Sequence, residues 1–177
     1  VYTYSEYAYH ATPVWSPDSN FLRVSIPPQD PLGDASIPVK IYHIPTDGTP
    51  ATLLTSVVVA PLDNVVLAPD TNHFAYKEQI GDPAENLFSL KFSDLSGASA
   101  SEFTTGSLGF DTWAPDSSHF NFYNWNPRET FIGQVAVPGV IALDANPAMD
   151  FSWITSDRFV FIVQSGANYQ LRIGTLS

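Results

Sequence analysis

One five-residue string recurs along this chain and limits what the chain can become. Trp15-Ser16-Pro17-Asp18-Ser19 is followed by Leu67-Ala68-Pro69-Asp70-Thr71, Trp113-Ala114-Pro115-Asp116-Ser117 and a degenerate fourth copy, Trp153-Ile154-Thr155-Ser156-Asp157, which lacks the proline. Taken at the Trp position, the steps are 67 − 15 = 52, 113 − 67 = 46 and 153 − 113 = 40 residues. Self-similarity at such a period means that one small unit has been stacked several times, because a single unit cannot bury its own apolar face.

The local chemistry of each copy makes that unit a hairpin. A short apolar run ends in Trp or Leu. Proline then fixes φ and removes a donor, and aspartate follows, able to accept from backbone amides two residues on and hold a reversal. A second apolar run comes at once, at residues 21–26, 74–80, 120–125 and 159–163. Trp15, Trp113 and Trp153 stand at the inner end of their hairpins, where burial of a large ring is expected. Strand pairs repeated every 40 to 50 residues are the pattern of propeller blades. The expected fold is therefore all-β, a β-propeller of four blade-like repeats, either a closed four-bladed ring or an arc of a larger propeller.

Blades are expected at about 13–55, 64–104, 110–143 and 150–177, preceded by a strand at 1–9 in which Tyr2, Tyr4, Tyr7 and Tyr9 alternate with a slip at Ser5-Glu6. The 27–36 segment between the second and third strands of the first blade explains the long first step. Gly48, Gly97 and Gly139 mark turns between third and fourth strands. The last blade lacks a fourth strand. The N-terminal segment could supply it and close the ring; an arc would instead leave apolar blade faces bare at both ends. The chain opens on Val1-Tyr2-Thr3-Tyr4, already strand-like, which suggests a mature or excised piece of something longer.

The W-[S/A]-P-D-[S/T] hairpin, followed by a strand such as Val39-Lys40-Ile41-Tyr42-His43-Ile44 and the turn Thr46-Asp47-Gly48, resembles the TolB-type, WD-like β-propeller repeat of bacterial proteins. Pro17, Asp18, Pro69, Asp70, Pro115 and Asp116 carry the likeness with the Trp positions, and the four copies span nearly the whole chain. The resemblance implies a non-enzymatic binding or scaffolding module of a secreted or cell-envelope protein. It also allows the propeller portion of a larger hydrolase of peptidase type, whose catalytic domain lies outside this chain.

Composition narrows the partners. With 18 acidic against 7 basic residues the formal charge is −11, which argues against nucleic acid, since the Lys and Arg clusters that phosphates demand are missing. No cysteine is present, so there is no disulfide, thiolate nucleophile or Cys-held metal. No apolar run approaches eighteen residues, so no helical membrane span is expected. Apolar blades at the ends leave self-association through open blade edges as a further possibility.

Chemistry-bearing residues are weighed against structural roles. Asp18, Asp70 and Asp116 recur once per blade, as turn-capping residues do and catalytic ones do not. His73 and His119 recur likewise, and with His10 and His43 they form no H-x-H or H-E-x-x-H spacing, so no metal site is expected from them. No G-x-S-x-G elbow is present, and Gly97-Ala98-Ser99-Ala100-Ser101 reads as a hairpin turn. No catalytic residue is assigned. The remaining candidates lie in the loops between second and third strands, which a propeller gathers on one side: Asp30, Asp34, Asp82, Glu85 and Glu129 make that side acidic, with Trp125, Tyr123 and Arg128 beside them. Such a surface is either a solvated acidic rim or a site for a cationic protein partner, a sugar stacked on Trp125, or Ca²⁺.

Overall fold

The computed structural model describes residues 11–28, 34, 36–96, 100–143 and 150–177. The strand expected at 1–9, His10, Asp30 and the Gly97 turn lie outside the described residues. The chain divides into two compact units, residues 1–105 and 106–177. Each is built from antiparallel sheets whose strands follow one another in chain order.

In the first unit, one sheet runs β1 (Thr12–Trp15), β2 (Phe21–Ile26), β3 (Val39–Pro45) and β4 (Thr52–Val57), and the next runs β5 (Val66–Leu67), β6 (His73–Gln79), β7 (Phe88–Asp94) and β8 (Ser101–Gly106). A single turn of 3₁₀ helix, Pro83–Glu85, joins β6 to β7. The second unit holds β9 (Leu108–Trp113), β10 (His119–Trp125), β11 (Arg128–Gln134) and β12 (Val137–Ala142). A three-stranded sheet follows, β13 (Phe151–Trp153), β14 (Arg158–Ser165) and β15 (Asn168–Thr175). Strand β5 starts two residues later than expected, because the Asn64 side chain accepts from the Val65 amide at 2.8 Å.

The repeated motif closes the first hairpin of three sheets in one way. The amide after the Trp or Leu donates across the turn, Ser16 N to Phe21 O at 2.9 Å, Ala68 N to His73 O at 2.9 Å and Ala114 N to His119 O at 2.8 Å. The residue after the aspartate turns left-handed, with φ of 60° at Ser19, 62° at Thr71 and 60° at Ser117. In the fourth sheet the loop is one residue shorter, Ile154 N bonding Arg158 O at 2.8 Å, which is why the proline and its aspartate are missing there. Register corrects the alignment of the second strands. Trp15 pairs Leu22, Leu67 pairs Phe74, Trp113 pairs Phe120 and Trp153 pairs Phe159. Leu22, not Phe21, is the first sheet's counterpart of the three phenylalanines.

The cores lie between sheets. In the first unit, Val39 and Ile41 of β3, with Val14, meet Val65 and the second sheet's Leu67, Phe74 and Tyr76. Arg23 Nε adds a bond to the Thr71 carbonyl at 3.3 Å, and Ser25 Oγ one to Val65 O at 3.4 Å. In the second unit, Ile132 of β11 meets Phe159, Phe161, Val163, Phe151 and Trp153 of the last sheet. Within each unit, the later sheet thus shows a front face, bearing the Trp or Leu position and its paired phenylalanine, to the rear of the earlier one.

That rule explains where the expectation for Trp15 fails. Trp113 is 6% exposed, its ring 5.4 Å from Phe110 and 5.9 Å from Phe120. Trp15, expected to be buried like it, is 57% exposed. Alternation along β1 turns Val14 into the core with the second sheet, so Trp15 stands on the opposite, front face with more than half of its surface in water. No helix among the described residues is long and apolar enough to cross a membrane.

Candidate functional site

The turn aspartates spend their oxygens on their own turns. Asp18 accepts from Ser16 Oγ at 2.7 Å, the Asn20 amide at 3.1 Å and Asn20 Nδ2 at 2.7 Å. Asp70 accepts from the amides of Asn72 and His73 at 2.8 and 3.1 Å and faces His73 Nδ1 at 2.6 Å. Asp116 does the same with Ser118, at 3.0 Å, and His119, at 3.1 Å to the amide and 2.7 Å to Nδ1. A carboxylate against Nδ1 keeps the proton there and leaves Nε2 as the acceptor. Beside the second pair, the Ser118 hydroxyl donates to Asp116 at 2.7 Å.

The acidic loop residues divide by what they touch. In the first unit, Asp34 accepts from the Ser36 hydroxyl at 2.6 Å and amide at 2.9 Å, which holds its carboxyl below the usual range. Asp82 caps the 3₁₀ turn, accepting from the Ala84 amide at 2.9 Å, with the exposed Glu85 in that turn. Both loops therefore gain order from their own carboxylates. In the second unit, Trp125 pairs Arg128 and Asn124 pairs Glu129 across the β10–β11 turn. The Arg128 guanidinium lies 5.4 Å from the centre of the Trp125 ring, and Tyr123 meets that ring edge-on at 4.7 Å. The structure thus brings Trp125, Arg128 and Tyr123 into one half-exposed aromatic–cation cluster, a surface suited to stacking with a planar group or a sugar ring.

Two features of the second unit had no signal in the sequence. One is a cleft of about 360 Å³ lined by His119, Ile132, Gln134, Val137, Ile141 and Leu176, within the size range of small-ligand sites. Its imidazole belongs to the repeated turn, and only the path of β12 and the C-terminal residues over it makes a concavity. The other is polar. Asn121, fully buried, donates from Nδ2 to Asp111 at 2.6 Å, while among the described residues its Oδ1 has no partner, as is true of the buried Trp153 Nε1. Burial first, and then Asp150, push the Asp111 carboxyl up against the Asn121 hydrogen bond. Among the described residues no three His, Asp or Glu side chains converge on a metal position.

Comparison with known proteins gives the fold a context. No family model matches the chain, and no curated protein matches it in sequence. Among solved structures it is similar to the β-propeller domain of the Trilobed protease from Pyrococcus furiosus, described as having an open velcro topology, with 12% identity over 96% of this chain and 55% of that one and a TM-score of 0.61. It is similar also to an acylaminoacyl peptidase of Pyrococcus horikoshii, at 12% identity over 94% of this chain and 31% of that one, TM-score 0.59. A prolyl endopeptidase matches at 16% identity over 94% of this chain and 26% of that one, TM-score 0.59. The chain spans about half of the isolated propeller domain and less than a third of the two peptidases. At these identities what is shared is architecture, and the chain is all-β with the fold of peptidase β-propeller domains.

Proposed function

We propose that this chain is the propeller portion of a peptidase-type hydrolase, with the bond-breaking residues in a domain outside it. The observation that carries the reading is the likeness, over more than nine-tenths of the chain, to the propellers of peptidases. The polar residues described above agree with it: the repeated Asp–His pairs are occupied within turns, and the loop carboxylates of Asp34 and Asp82 order their own backbones. In such an arrangement the propeller binds and admits substrate, and the Trp125–Arg128 cluster, with Glu129, is the surface of this piece best equipped to hold a peptide segment. The purified 177-residue chain is expected to turn over no peptide or ester.

The test is to raise an antibody against the chain and treat the native protein, from its own cells, with a fluorophosphonate that labels nucleophilic serines of hydrolases. A labelled band that the antibody also recognises supports the proposal. A recognised band that stays unlabelled, with no peptidase activity in the immunoprecipitate, overturns it. That outcome favours the second reading, a TolB-like binding module of a secreted or envelope protein, for which the W-x-P-D repeat is the supporting feature.

A further inference from the structure

We infer that the β10–β11 turn holds the C-terminal carboxylate of a peptide whose last residue is aromatic or large and apolar. That the ligand is a peptide rests on the peptidase reading above; the carboxylate and the apolar group rest on the turn itself. Along this hairpin Tyr123 pairs Thr130, Asn124 pairs Glu129 and Trp125 pairs Arg128. Successive pairs face opposite ways, so the side that carries Tyr123, Trp125 and Arg128 bears the charge of Arg128, and Glu129 belongs to the other side. Further along the same side, the Asp111 carboxylate is engaged by Asn121 Nδ2 at 2.6 Å.

The platform is built before any ligand arrives. The Trp125 amide donates to Ser107 O at 2.8 Å, and Asn124 Nδ2 donates to Asn126 O across the turn at 3.3 Å. The Tyr123 ring lies on Gly109, where a Cβ would stand 2.1 Å from it, and meets the Trp125 ring edge-on at 4.7 Å. Held in this way, Trp125 still leaves 48% of its surface in water. A fixed ring that stays exposed loses little freedom when a second ring or aliphatic side chain settles on it.

Arg128 supplies the polar half. Its guanidinium stands 5.4 Å from the centre of the Trp125 ring, and among the described residues no acceptor oxygen lies within hydrogen-bond reach of its N–H groups. Elsewhere in the chain Lys77 is paired with Asp63, Lys91 with Glu78, and Arg23 donates to the Thr71 carbonyl. A planar carboxylate is the group that takes two guanidinium donors side by side. The charge of the whole molecule decides how many carboxylates the ligand carries. At a formal charge of −11 the chain repels a polyanion. A peptide rich in Asp and Glu is therefore disfavoured, and the single carboxylate at a peptide's end meets the least repulsion. The side chain of that last residue leaves the same Cα as the carboxylate, so one residue reaches the ring and the guanidinium together.

Calorimetric titration of the 177-residue chain with three probes tests this. They are acetyl-Ala-Ala-Phe with a free C-terminal carboxylate, the same peptide as its C-terminal amide, and acetyl-Ala-Glu-Ala-amide, in which the carboxylate is a side chain's. The free acid is expected to bind about tenfold more tightly than either of the others. Arg128→Gln is expected to erase that margin and leave the affinity for the amide unchanged. Arg128→Lys keeps the charge without the fork and is expected to restore the margin in part, whereas Trp125→Ala weakens acid and amide alike. Both side chains are exposed, so the variants keep the fold, which circular dichroism checks. The proposal is overturned by an acid that does not bind, or binds no more tightly than its amide, by an internal glutamate that binds as well as the terminal carboxylate, or by a preference that survives Arg128→Gln. Any of these, where the fluorophosphonate labels the native protein, strikes the carboxylate site and leaves the hydrolase reading in place. The expected pattern in a protein that stays unlabelled supports the site and strikes the hydrolase.

Discussion

The Nδ1 atom of His119 lies 2.7 Å from one oxygen of Asp116 while the backbone amide of the same histidine donates to the other at 3.1 Å. Burial alone would raise the Asp116 carboxyl. The Ser118 hydroxyl, the two amides and the His119 ring outweigh it and lower the carboxyl to about 2. A carboxyl depressed in the folded state adds stability above its ordinary value near 3.8 and loses it as pH falls toward 2. Since the side chain keeps some solvent contact, Asp116→Asn is expected to cost about 1 kcal/mol at pH 7. Urea unfolding of both proteins should show that gap close between pH 4 and about 2; a gap independent of pH would mean that the carboxylate charge does not hold the turn.

The two tryptophans at equivalent positions separate packing from sequence. Trp113→Ala empties a sealed site between Phe110 and Phe120 and is expected to destabilise by roughly 3 to 5 kcal/mol. Trp15→Ala is expected to cost less than about 1 kcal/mol, since the ring is largely in water. Denaturant midpoints decide it. Equal losses at both positions would place Trp15 in a core after all.

Gly174 pairs Phe159 across β14 and β15, and a Cβ built on it would stand 2.2 Å from the phenylalanine ring. The ring lies across the glycine and belongs to the core beneath the last sheet. Gly174→Ala must therefore displace Phe159, at an expected cost of about 1 to 3 kcal/mol. Gly109→Ala, whose Cβ would meet the Tyr123 ring at 2.1 Å, should behave alike and also turn Tyr123 off Trp125. A shift in Trp125 fluorescence for Gly109→Ala, absent for Gly174→Ala, is the expected readout.

These cases mark how far the chain could be read without coordinates. The hairpins were legible because proline, aspartate and a left-handed serine or threonine act within six residues, as Asp18 and Asp70 show. The fate of Trp15 was not, because its burial depends on which sheet lies in front of it and not on its own hairpin. Loop charges were legible as charges, yet Asp34 and Asp82 proved to be occupied by amides one turn away, a geometry that depends on backbone direction. The pairing of Asn121 with Asp111 joins residues whose contact depends on the bulge at Asn121 and Phe122 in the β9–β10 register. Nothing in the local sequence announces that shift.

Lys77 tests how a half-buried charge pair is held. Its Nζ lies 3.0 Å from Asp63 Oδ2 and 4.5 Å from the centre of the Phe88 ring. Burial raises the Asp63 carboxyl, and Lys77 only partly offsets that. A carboxyl raised in the folded state binds protons more tightly there than in the unfolded chain, so its ionisation subtracts stability as pH climbs from about 3.8 through the raised value. Lys77→Met keeps the apolar stem but removes the offsetting charge, which should push the carboxyl higher still. Relative to wild type, the variant is then expected to lose about 1 to 2 kcal/mol at pH 7, and much less near pH 3, where Asp63 is largely protonated in both. Adding Asp63→Asn should remove most of the pH-dependent part. Chemical denaturation of the four proteins at the two pH values forms the cycle, and a loss in Lys77→Met that is as large at pH 3 as at pH 7 would assign the effect to Phe88 packing instead of to the ion pair.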